Sequence, residues 1–100
     1  MYMVREVLQC HAGQVRALTD KFKAINVLIA DEGLGEPFRL YSDYTGAPFW
    51  TLVVQHEYGS LEEAQAFEDA VFGRDDARAI MAGYHESILE GTREIYKVAG

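Results

Sequence analysis

The sequence predicts a single α+β domain in which four strands and two amphipathic helical stretches follow the order βαββαβ. Three observations carry this prediction. Apolar residues recur every three or four positions over residues 14–31 and again after Ser60, and β-branched and aromatic residues gather near both ends and in the middle of the chain. A glycine-containing turn, Tyr44-Thr45-Gly46-Ala47, then joins the two middle runs as a hairpin. With 100 residues in total, one hydrophobic core is expected and a second domain is not.

The first strand is read over Tyr2 to Gln9, with Val4 and Leu8 on one face and Met3 and Val7 on the other. The breaker-like His11-Ala12-Gly13 closes it. From Gln14 to about Asp31, Val15, Leu18, Phe22, Ile25 and Ile29 form one apolar stripe, opposed by Arg16, Asp20, Lys21 and Lys23. Gly33 is placed as a left-handed C-cap and Gly35 as a turn residue. Glu36 to Asp43 and Pro48 to Tyr58 read as the second and third strands, the latter apolar on both faces through Val54 and therefore an inner strand.

Ser60-Leu61-Glu62-Glu63 matches a capping box, in which the Ser hydroxyl and the Glu carboxylate take up unpaired N–H groups at a helix start. Leu61, Ala64, Phe67 and Val71 point inward. An interruption near Gly73 precedes a second piece carrying Ala77, Ile80, Met81, Tyr84 and Ile88, which Gly91 ends. Thr92 to Val98 reads as the last strand.

Sixteen acidic against nine basic residues give a formal charge of -7, with the bases scattered, so nucleic acid is not an expected partner. No apolar run approaches the roughly 20 residues of a membrane span, and Arg5 and Glu6 stand where a signal peptide would be apolar, so a cytoplasmic protein is expected. Cys10 is the only cysteine, which leaves no intrachain disulfide and no cysteine-based metal cage. No metal site and no cofactor are expected.

The order of elements is the split βαβ, ferredoxin-like arrangement, an antiparallel four-stranded sheet with its helices on one face. The strands carry large apolar side chains at both parities, so the other face is expected to meet a partner, a second copy of the chain. Val4-Arg5-Glu6-Val7 leading to Gly13-Gln14-Val15, the aromatic-rich Phe49-Trp50-Thr51-Leu52-Val53 and the closing Gly91-Thr92-Arg93-Glu94-Ile95-Tyr96 resemble the dimeric α+β barrel superfamily, and within it the small NIPSNAP-like proteins. The resemblance implies a homodimeric barrel and a pocket between sheet and helices. The superfamily also includes cofactor-free monooxygenases and haem-degrading enzymes. The haem-degrading pattern of a His on the second helix with a Trp and an Asn nearby is not carried over, because Asn26 falls within the first helix.

Among residues that can carry chemistry, His85 beside Tyr84 is placed toward the inner side of the last helical piece, and His56 toward the end of the third strand. Either histidine, or Tyr84, can serve in proton transfer. The plainer reading makes them boundary or cross-strand polar residues. Arg39, Tyr41 and Asp43 share one face of the second strand, and Trp50 with Tyr41 offers aromatic walls, so these four are candidate ligand-binding residues. An ion pair and an interface are the bland alternatives. No phosphate loop, nucleophile elbow or paired-acid motif occurs. Three functions therefore stand: a homodimer binding a small apolar or aromatic molecule between sheet and helices, a cofactor-free monooxygenase-like enzyme, and a structural or interaction module without catalysis.

Overall fold

The computed structural model describes residues 1–100. In chain order the elements are β1 (Tyr2–Cys10), α1 (Val15–Asp31), β2 (Arg39–Ser42), β3 (Thr51–Tyr58), α2 (Leu61–Phe72), α3 (Asp75–Met81), a 3-10 turn (Tyr84–Ser87) and β4 (Ile88–Lys97). The sheet runs β2-β3-β1-β4 with every neighbouring pair antiparallel, which is the ferredoxin-like order expected from the sequence. All helices lie on one face. The result is a slab of 36 × 34 × 18 Å, one sheet and one helical layer thick.

Strand parity decides which side chains the helices cover. Leu8 and Cys10 of β1 and Leu52 and Val54 of β3 are buried against Leu18, Phe22, Ile25 and Ile29 from the stripe of α1, while Val4 and Tyr58 are buried against Ala64 and Phe67 of α2. Burying each such aliphatic side chain stabilises the fold by about 1.5–3 kcal/mol. Gly33 is left-handed at φ +60° after α1, as a C-cap requires. At the start of α2, Ser60 Oγ accepts from Glu63 N–H at 3.1 Å, while Glu63 Oε2 accepts from Gly59 N–H at 3.0 Å, one residue earlier than in the usual box.

Three boundaries differ from the sequence reading. The second strand begins at Arg39 rather than Glu36, because Pro37 has no N–H to give and Phe38 is held instead by Asn26. The third begins at Thr51 rather than Pro48. Trp50 sits at φ +66°, which breaks the extended run, and Asp43 Oδ1 takes the Thr51 N–H at 2.8 Å. The largest difference is at the last helical piece, which ends at Met81, not near Gly91. Left-handed Gly83 (φ +77°) stops it, and Ile88 onward pairs with β1, so the open edge of that long strand recruits residues whose spacing also suits a helix.

Candidate ligand cavity

The break between α3 and β4 leaves a gap in the helical layer. A cavity of about 480 Å³ fills it, bounded by Phe22, Phe38, Val54, Phe72, Ala77 and Met81. This volume lies within the range of small-molecule sites. Its position between sheet and helices is the one expected from the sequence.

The polar part of the cavity is built by strand pairing. Glu6 shares the covered parity of β1 with Val4 and Leu8, and its direct partner on β4 is Arg93. Arg93 Nη2 donates to Glu6 Oε1 at 2.9 Å and lies 3.5 Å from Glu68 Oε1, which descends from the inner stripe of α2 between Ala64 and Val71. Burial raises the Glu68 carboxyl above its ordinary range; Arg93 opposes this and Glu6 adds to it. Burial also works against the Arg93 charge, but Glu6 and Glu68 more than offset it and hold the guanidinium high.

Tyr58 lies beside this group. It is 5% exposed, and its hydroxyl has no hydrogen-bond partner. Burial raises its pKa, with the charges of Glu68 and Glu6 adding and that of Arg93 opposing. Buried hydroxyls are ordinarily paired, so this atom marks a polar region with unused hydrogen-bonding capacity.

The candidate residues from the sequence are spread over several places. Tyr84 and His85 line the cavity, but from the 3-10 turn at its mouth rather than from a helix interior, and both are exposed. His56 is outside it. Its ring packs between Tyr58 (4.4 Å between centroids) and Phe67 (4.6 Å), and its nitrogens lie 2.7 Å from Glu36 O and 2.8 Å from Glu57 O. That arrangement ties the end of β3 to the segment before β2. Arg39 borders a small polar hollow with His56, Trp50 lines a separate groove against α1, and Tyr41 is exposed on the open face. Asp43 is engaged with the Thr51 backbone. The proposed aromatic-walled site of Trp50, Tyr41, Arg39 and Asp43 is therefore not assembled in one place.

Glu6, Glu68, Arg93 and Tyr58 were not anticipated as a group. Their signal in the sequence is a charge at the covered parity of β1, a charge on the apolar stripe of α2 and a charge at the matching position of β4. No group of three or more His, Cys, Asp or Glu side chains is arranged to hold a metal ion. No helix is long and apolar enough to cross a membrane.

Neither a protein-family model nor a curated protein sequence matches the chain. Solved structures do. A NIPSNAP family protein of unknown function from Agrobacterium tumefaciens superposes with a TM-score of 0.81 at 16% identity, over 99% of this chain and 88% of that one. An uncharacterized NIPSNAP domain protein from Burkholderia xenovorans does so with a TM-score of 0.76 at 13% identity, over 99% and 95%. An antibiotic biosynthesis monooxygenase matches with a TM-score of 0.72 at 12% identity, over the full length of both chains. At these identities the likeness establishes the fold, and it bears out at that level the resemblance to dimeric α+β barrel proteins read from the strand motifs.

Proposed function

We propose that the chain binds a small apolar or aromatic molecule in the cavity between sheet and helices. The observation that carries this is the cavity itself, about 480 Å³ with Phe22, Phe38, Phe72 and Met81 in its wall and a few convergent polar groups. The test is fluorescence of the neutral probe N-phenyl-1-naphthylamine, which brightens in an apolar site. Enhancement is expected with the native chain and is expected to disappear in Ala82→Trp, a change at an exposed position of the lining that fills the cavity mouth. Equal enhancement in a folded Ala82→Trp variant contradicts the reading.

A second reading, cofactor-free oxygenation of the bound aromatic molecule, is favoured by the place of His85 and Tyr84 in the lining. Oxygen uptake with a panel of polyphenols measures it. Uptake that survives intact in both His85→Ala and Tyr84→Phe removes it.

The chain also pairs with a second copy through the open face of the sheet. Supporting this, Val7 and Val53 face each other across β1 and β3 on that side, Met3 lies on the same face, and Tyr41 and Tyr96 stand exposed toward the two edges. With 16 of 100 residues buried, the slab has a small core, and covering this face enlarges the apolar area removed from water. Sedimentation is expected to give a dimer that Val53→Lys dissociates. A native monomer at micromolar concentration contradicts it.

A further inference from the structure

One end of the cavity is lined by charged side chains. Two carboxylates, Glu6 and Glu68, face one guanidinium, Arg93, so the group carries an excess negative charge in a partly desolvated place. Of the other basic residues of the lining, His85 is exposed at the mouth, and the Arg78 guanidinium is engaged elsewhere, donating to Asp75 Oδ1 at 3.2 Å and to Gly73 O at 3.0 Å. The Tyr58 hydroxyl is buried beside the carboxylates without a partner.

On the reading that this cavity binds an apolar molecule, we propose that the molecule is a primary amine, an aromatic or apolar body ending in an ammonium group that docks on Glu68 and Glu6. An ammonium brings three donors and no acceptor, which suits the two carboxylates that line the cavity. It also neutralises the excess charge. A ligand carboxylate does the opposite, since Arg93 is already shared between Glu6 and Glu68 and a third anion joins them. Burial, and after it the charge of Glu6, raises the Glu68 carboxyl against the opposing pull of Arg93, and a cation docked there favours its charged form.

Three ligands with one naphthyl body separate head-group choice from cavity binding: 2-naphthylmethylamine, 2-naphthylmethanol and 2-naphthylacetate, each titrated calorimetrically into the full chain at pH 7. The amine is expected to bind at least about tenfold more tightly than the acid, with the alcohol between them. In Glu68→Gln the amine is expected to fall to the affinity of the alcohol, while the alcohol itself stays within about twofold. If the acid binds as tightly as the amine, or the amine keeps its advantage in Glu68→Gln, the head-group assignment is wrong and the cavity reading stands. If none of the three binds at millimolar concentration, the cavity reading falls and takes this assignment with it.

Discussion

Over Leu8 and Leu52 the sheet meets α1, a continuous helix of 17 residues, whereas over Glu6 and β4 it meets the broken stretch of α2, α3 and the 3-10 turn. The first half is close-packed: Leu18, Ile25, Ile29 and Leu52 have no exposed surface, and Val71 and Ala77 join them from α2 and α3. The second half holds the cavity and an ion group at the covered parity, and β4 has no fully buried residue. One sheet face thus carries a core and a cavity side by side. The difference comes from helix continuity. A 17-residue stripe spans the sheet, while breaks at Gly73 and Gly83 let the second stretch turn away before it reaches β4.

The strongest way to break this comparison is to remove volume from each half. Ile25→Ala, in the close-packed half, is expected to cost about 2–5 kcal/mol in chemical denaturation. Met81→Ala, whose side chain already borders open space, should cost distinctly less; equal costs dissolve the distinction between the halves. Next in size is the seam between them. Asn26 Nδ2 donates to Phe38 O at 2.9 Å and its Oδ1 accepts from Phe38 N–H at 2.8 Å, so one side chain on α1 holds an aromatic wall of the cavity. Asn26→Ala strands both backbone groups, with an expected loss of about 1–3 kcal/mol by the same measurement, together with weaker probe fluorescence. Stability lost without any change in probe binding detaches Phe38 from the cavity.

Smaller still, Ser60→Ala removes the acceptor for Glu63 N–H and is expected to cost about 1 kcal/mol. The last prediction depends on pH. Because the Glu68 carboxyl is raised in the folded chain, the folded state holds its proton more tightly than the unfolded state does. Its contribution to stability is therefore full below the ordinary carboxylate range and is lost as pH rises through the raised value. Glu68→Gln escapes that loss, so its thermal midpoint should exceed the native one by a few degrees at neutral pH, and the gain should vanish below the ordinary range. A variant less stable than the native chain at pH 7 contradicts the assignment of burial as the main influence on Glu68.

Much of the fold was legible because the periodicities of α1 and β3 are unambiguous: Leu18, Phe22, Ile25 and Ile29 at helical spacing, and Leu52, Val54 and Tyr58 at strand spacing, all proved buried. The segment 82–91 misleads because Tyr84 and Ile88 fit a helical period, while the demand of β1 for a partner along its length is a non-local fact that no local pattern contains. The site was legible only in part. Tyr84 and His85 do line the cavity, yet its charged end depends on Glu6 facing Arg93 across a register that becomes visible only once the strands pair. The residue type of Trp50 favours a strand, and its left-handed backbone has no local signature.

Methyl-resolved NMR of the full chain titrated with 2-naphthylmethylamine tests most directly whether the covered face of the sheet, on the side of the broken helix, binds a small molecule. Saturable shifts are predicted at Val54, Ala77 and Met81, with Val7 and Val53 of the open face unmoved. Shifts confined to Val7 and Val53, or no saturable shift anywhere, contradict binding at the covered face.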